Sequence, residues 1–126
     1  WANDYGLVGG ENDDDDGDGV DNLGEYGQNG DPTNSAVTGT FPVIGNPEEV
    51  NGTNWIGYVY LQRTTSNNGL TYSIGQNTDL VNGIWTNYGD IVHVGDSVSS
   101  GGFKYVTNAV PTDGKSKEFL QLLIEN

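Results

Sequence analysis

From residue 55 onward, apolar and polar side chains alternate in short runs separated by glycine and asparagine. A two-residue period over such lengths is the signature of strands, and no helical period of useful length follows residue 30. Six strands are predicted, over 55–62, 70–75, 84–88, 91–94, 102–107 and 118–124. In the first, Tyr58, Tyr60 and Gln62 alternate with Gly57, Val59 and Leu61, so the strand has two unlike faces. Asn67-Asn68-Gly69 and Asn82-Gly83 read as hairpin-type turns, because Asn and Gly enter positive φ at little cost. The last run, Phe119-Leu120-Gln121-Leu122-Leu123-Ile124, is apolar enough to predict a central strand. Strands at this spacing are expected to build an antiparallel β-sandwich over 55–126.

The first half of the chain has another texture. A short helix is predicted over 1–7 and a second over 21–27, kept short by Gly24 and Gly27. Residues 32–54 carry Pro32, Pro42 and Pro47 among Asn, Gly and Thr, which predicts a turn-rich connector with one strand over 36–44. At 126 residues the chain is expected to form one domain, burying roughly two thirds of its unfolded surface around a single core.

Charge changes the picture for residues 1–31. Ten of the 18 acidic residues fall there, with no Lys, Arg or His among them. Such a segment repels itself unless cations neutralise it. Within it, Asp14-x-Asp16-x-Asp18-Gly19-Val20-Asp21-Asn22-Leu23-Gly24-Glu25 fits a twelve-residue EF-hand-type loop. Carboxylates at the first, third and fifth places, a turn glycine at the sixth, a carbonyl at the seventh and a glutamate at the twelfth supply hard oxygens around one cation, which points to Ca²⁺. The expected ligands are Asp14, Asp16, Asp18, the Val20 carbonyl, Asn22 and Glu25. Two alternatives stay open: Asp13 and Asp15 taking over from Asp14 and Asp16, and Glu11 or Asp31 completing the shell or holding a second ion. A merely solvated acidic run, the commoner fate of charge blocks, would not be expected to carry the glycine, the apolar residues and the glutamate in register.

The net charge of −14, with only Arg63, Lys104, Lys115 and Lys117 as bases, disfavours nucleic acid and anionic membrane as partners. No apolar run approaches the roughly 20 residues of a membrane span. The chain therefore reads as a soluble mature protein or module, and a weak acid-rich calcium loop fits the millimolar Ca²⁺ found outside cells, so secretion is expected.

Trp1-Ala2-Asn3-Asp4-Tyr5-Gly6-Leu7, the Asp-rich loop and Asn22-Leu23-Gly24-Glu25-Tyr26-Gly27-Gln28-Asn29-Gly30-Asp31-Pro32 together resemble the calcium-loop segment of thrombospondin type 3-like repeats in secreted bacterial proteins. Gly69-Leu70-Thr71-Tyr72-Ser73-Ile74, with Thr78-Asp79-Leu80, Gly83 and Trp85-Thr86, resembles the β-sandwich module that often follows such a loop. The resemblance implies a calcium-stabilised extracellular module without assigned activity, with Asp14, Asp16, Asp18, Val20, Asn22 and Glu25 in the ligand roles. Gly24 departs from it, standing where the family tends to have a helix former. The fold class expected is thus mostly β, an antiparallel β-sandwich with a short N-terminal helix-loop-helix calcium-binding segment.

Candidate catalytic chemistry is thin. His93 stands alone in the alternating run Ile91-Val92-His93-Val94, and a lone strand histidine is more often an outward polar residue than a base. No serine sits in a nucleophile elbow, and there is no cysteine. A non-enzymatic role is expected, first as a structural cell-surface or filament subunit that joins copies of itself through strand edges. The alternative is a carbohydrate-binding module, with Tyr58 and Tyr60 as the aromatic pair for stacking on a polysaccharide.

Overall fold

Asn51 and Gly52, at φ 53° and 79°, reverse the chain between β1 (Val43–Val50) and β2 (Thr53–Arg63). Two consecutive positive-φ residues give the type I′ turn whose twist matches paired antiparallel strands. This hairpin sits where a connector was expected, because Pro47 argued against a strand. β1 is an outer strand whose register shifts between Ile44 and Pro47, and that placement tolerates a residue with no N–H to donate. The computed structural model describes residues 1–64 and 69–126.

The chain continues through β3 (Thr71–Asn77), β4 (Thr86–Asn87), β5 (Val92–Val98), β6 (Phe103–Pro111) and β7 (Phe119–Glu125), preceded by α1 (Ala2–Tyr5) and α2 (Asn22–Gly27). All pairings are antiparallel, and they form a four-stranded sheet in the order β1-β2-β6-β5 and a three-stranded sheet in the order β4-β3-β7. The protein is mostly β, as its alternating pattern predicts. Asn67 and Asn68 of the first expected turn lie outside the described residues. At Asn82-Gly83 the chain does turn, but without positive φ: the Asp79 carboxylate accepts from the Val81 and Asn82 amides, and the Gly83 N–H reaches the Asp79 carbonyl at 2.7 Å. The strand expected over 84–88 shrinks to β4; Ile84, two residues before it, is 84 % exposed and has no packed face to extend the strand.

One core draws on both sheets. Tyr58 and Tyr60 of β2 and Val106 and Val110 of β6 meet Tyr72 and Ile74 of β3, with Leu120, Leu122 and Ile124 of β7 packed against them. The Tyr60 and Tyr72 rings stack with centroids 6.1 Å apart. Each large side chain moved from water into this layer stabilises the fold by about 1.5–3 kcal/mol. Tyr58 and Tyr60 are therefore not an exposed pair: at 4 % and 3 % exposure they cannot stack on a sugar, and that expectation is corrected. Their face of β2 is the one that meets the second sheet. Burial holds both hydroxyls protonated, with Tyr58 pushed up to about 12.

The expectation of a central last strand is also corrected. β7 stands at the end of its sheet, paired with β3 alone among the described residues. Its apolar character is explained by the N-terminal segment instead. α2 contacts both β7 and β2, one strand from each sheet, and so closes the flank between them. A Cβ on Gly27 would come within 2.8 Å of Ile124 Cδ1, so only glycine allows this approach without Ile124 shifting. The Tyr72 hydroxyl donates to the Gly27 carbonyl at 2.9 Å, and Arg63 Nε donates to the Tyr26 carbonyl at 2.6 Å. The Arg63 guanidinium lies 3.8 Å from the Tyr26 ring centroid and 4.6 Å from that of Phe103. Trp1 stacks on Tyr26 at 4.5 Å, tying α1 to α2.

Arg63→Ala removes both the hydrogen bond and the ring contacts, and is expected to weaken docking of the N-terminal segment by about 1–3 kcal/mol. Hydrogen exchange checks this: amides of 22–28 should lose protection while those of β3 and β6 keep theirs, and a uniform loss across the chain would contradict it.

Candidate metal centre

The acidic run folds by its own side chains. Asp14 Oδ1 accepts from the Gly17 amide at 2.7 Å and its Oδ2 from the Gly19 amide at 2.9 Å, while Asp18 Oδ1 accepts from Val20 N–H at 2.8 Å. Short carboxylate side chains that take nearby amides bend the backbone into a tight loop. Gly17 and Gly19, at φ 78° and 96°, occupy the left-handed positions the loop needs. The chain then enters α2 at Asp21, whose Oδ1 caps the Gly24 amide at 2.6 Å.

This geometry separates the aspartates into two sets. Asp14, Asp16 and Asp18 bring carboxylate oxygens within 4.8 Å of one another. Asp13 and Asp15 instead hold backbone: Asp13 Oδ2 accepts from the Gly10 amide at 2.6 Å, and Asp15 accepts from the Val8 and Gly9 amides at 2.7 and 3.0 Å. The Val8 amide, helped by Asn22 and Gly9, keeps the Asp15 carboxyl below its ordinary range against the opposing effect of desolvation. Of the two registers left open by the sequence, the one starting at Asp14 is the one whose carboxylates converge.

Asn22 does not act as expected. It is fully buried, its amide nitrogen donates to the Gly10 carbonyl at 2.8 Å and its oxygen accepts from the Asp15 amide at 3.2 Å. It stitches the incoming chain to the loop, a positioning role that the ligand spacing alone could not distinguish. Glu11 and Asp31 are also engaged elsewhere, with Asn126 and Thr33 respectively. Val20, expected to contribute its carbonyl, donates its N–H to Asp18, which fixes the Gly19–Val20 peptide just before that carbonyl.

Glu25 is the unusual group. It lies on α2 with 0 % exposure, and neither carboxylate oxygen has a hydrogen-bond partner. One oxygen each of Asp16 and Asp18 is likewise buried and unpartnered. Desolvation, followed by repulsion from Asp16, Asp18, Asp14 and Asp31, pushes the Glu25 carboxyl up to about 7. Asp16 is raised as well, first by desolvation. Burying a carboxylate without a partner costs several kcal/mol, and placing it beside three more deepens the penalty. The donor set is all hard oxygen, which suits Ca²⁺ and not a thiophilic metal. Glu25 falls outside the tightest triangle, which holds the three aspartates alone.

His93 is half of an exposed pair: its Nε2 lies 2.8 Å from Asp96, which also binds Lys104 at 2.6 Å. A second polar cluster was not foreseen. Lys115 bridges Asp90 at 2.8 Å and Glu118 at 2.9 Å, and Gln76 donates to both acids. Burial opposes ionisation of Asp90, yet the Lys115 and Gln76 hydrogen bonds outweigh it and hold the carboxyl low. Gln76 and Asp90 lie far in sequence from the Lys115–Glu118 pair, so no spacing could have flagged the cluster. No family model matches the chain, and no curated protein or solved structure matches it. Among the described residues, no helix is long and apolar enough to cross a membrane.

A proton on Glu25 relieves the repulsion when no cation is bound. Its native pKa is raised, so the stability that its protonation contributes to the metal-free fold is fully present below the ordinary carboxylate range and is lost as pH rises through about 7. Chelated protein is expected to melt at a lower temperature at pH 8 than at pH 5.5, and saturating Ca²⁺ to abolish or reverse the difference. Glu25→Gln should flatten the chelated profile. An unchanged chelated profile in that variant would contradict the assignment.

Proposed function

We propose that the chain is a calcium-stabilised structural module in which one Ca²⁺, held by Asp14, Asp16, Asp18, Glu25 and the Val20 carbonyl, docks residues 1–31 onto a β-sandwich. The observation that carries this reading is Glu25, wholly buried with both oxygens unpartnered beside three converging aspartates. A divalent cation supplies what each of those oxygens lacks and cancels the repulsion that opposes packing. Bound calcium then acts as a staple between a loop that is otherwise self-repelling and a core built by the two sheets. The resemblance to thrombospondin type 3-like calcium loops supports the same assignment, and a site of this kind belongs in the calcium-rich space outside the cell.

The role of the stapled module, in this reading, is to join copies of itself at the cell surface or in a filament. Both outer strands of the four-stranded sheet support it: Val43, Ile44 and Val50 on β1 and Val92, Val94 and Val98 on β5 are all at least half exposed. Edges that carry such residues lend themselves to strand-to-strand contact between molecules. A groove of about 600 Å³ on the four-stranded sheet, lined by Trp55 with Glu48, Asn51, Gly57, Val92 and Ala109, favours a second reading, polysaccharide binding at this face.

Isothermal calorimetry should show one Ca²⁺ per chain with Kd on the order of 10⁻⁴–10⁻³ M, lost in Asp16→Ala and Glu25→Ala. At about 100 times Kd the bound ion is expected to add about 2.7 kcal/mol of stability. Absence of calcium heat in the wild-type chain would overturn the proposal. Light scattering in millimolar Ca²⁺ separates the two roles. Large particles dispersed by Val92→Lys and Val94→Lys favour the assembling subunit, whereas a monomer retained on a polysaccharide column through Trp55 favours the second.

A further inference from the structure

We propose that the cleft between β5 and Tyr88 binds one neutral sugar unit, the end of a glycan chain, through Asp96, Lys104, His93 and the ring face of Tyr88. It lies on the core side of the four-stranded sheet. It is separate from the calcium centre and from the groove on the sheet's outer face, and depends on neither.

Two local irregularities build the cleft. In an unbroken strand, residues three apart point to opposite faces. The register shift between His93 and Gly95 instead sets His93 opposite Asn108 and Asp96 opposite Val106, so both share the face that carries Tyr58 and Tyr60 on β2. A bulge is a recurrent device for re-aiming a side chain beside a site. The second irregularity is Tyr88, whose φ of 59° is strained for a bulky residue. Hydrogen bonds hold it there: its N–H donates to the Ile74 carbonyl at 2.7 Å, its carbonyl accepts from the Ile91 N–H at 2.8 Å and its hydroxyl donates to the Tyr72 carbonyl at 3.0 Å.

Between them lies an open cavity of about 380 Å³, at the small end of the range of ligand sites. Tyr60, Val106 and Asn108 on its floor are buried, whereas His93, Asp96 and Tyr88 at its rim are exposed. Asp96 is set in place from both sides, by Lys104 at 2.6 Å on one oxygen and by His93 at 2.8 Å on the other. The Tyr60 and Tyr88 hydroxyls are hydrogen-bonded to each other. Inward-pointing charge also guards an edge strand against pairing, but that role needs neither a strained tyrosine nor a cavity.

The lining selects the ligand. Lys104 and Asp96 cancel, so a strongly charged ligand finds no unpaired countercharge here. The polar groups are of both kinds: Asp96 accepts, Lys104 donates, and the Gln62 amide does either. A sugar hydroxyl is likewise both donor and acceptor, and the exposed ring of Tyr88 gives the apolar face of a pyranose a flat surface to stack on. The volume suits a single sugar unit, and the open rim leaves room for the chain to which it belongs.

The test is two-dimensional amide NMR of the wild-type chain in millimolar Ca²⁺, titrated into the high-millimolar range with the methyl glycosides of glucose, galactose, mannose and N-acetylglucosamine, and with methyl glucuronide as the charged counterpart. The expected result is saturable shifts with millimolar Kd for at least one neutral glycoside, gathered on amides of 88–96 and 104–108. Binding should weaken at least tenfold in Asp96→Ala and in Tyr88→Asn, the latter a residue that accepts positive φ and so keeps the turn without the ring. The wild-type map decides the matter if either variant fails to fold. No saturable shift with any neutral glycoside overturns the inference, as does tighter binding of the glucuronide. Shifts gathered on Gly45, Glu48 and Trp55 instead also overturn it, and place the sugar in the outer groove.

Discussion

A carboxylate shut away from water with nothing to bind is the constraint on which this molecule turns. Glu25 occupies such a place on α2, and the aspartates that converge beside it make its charge costlier still. The same helix carries Leu23 inward, faces Ile124 with Gly27 and takes the Tyr72 hydroxyl on its last carbonyl. Electrostatic relief at one end of a six-residue helix and packing at the other are therefore one event. A helix this short has almost no stability of its own, so it exists only while both ends are held.

That dependence explains the shape of the remainder. The four-stranded sheet shares its core with a three-stranded one, and the flank beside β7 is filled by the N-terminal segment and the connector that follows it. The connector wraps back onto α2: Gly39, at φ 94°, comes close enough that a Cβ would lie 2.9 Å from the Gln28 carbonyl, and Thr40 N–H binds that carbonyl at 2.7 Å. Arg63 links the end of β2 to Tyr26 by hydrogen bond and ring contact. The acidic segment is thus a wall of the core as well as a loop beside it.

Much of this was legible in the sequence, for identifiable reasons. Alternation marked β2 and β6, where one face packs on the core and burial enforces period two, while β7 was marked by its apolar run. The convergence of Asp14, Asp16 and Asp18 followed from their spacing. What escaped depended on tertiary context. Pro47 hid β1, although the Asn51-Gly52 pair beside it carries the strongest short-range hairpin signal. Tyr58 and Tyr60 were placed on one face correctly, but alternation does not say which face is inside. β7 looked central because its cover comes from residues about a hundred positions away. Asn22 has the spacing of a ligand, yet its side chain is drawn off by Gly10 and Asp15, backbone groups that no spacing rule includes.

The most direct test of the central claim is anomalous diffraction from crystals grown in millimolar Ca²⁺. The account predicts one calcium peak enclosed by the carboxylates of Asp14, Asp16, Asp18 and Glu25, with α2 docked against β7. A map with no peak there, or one in which Glu25 turns out to solvent while α2 keeps its place, would contradict it.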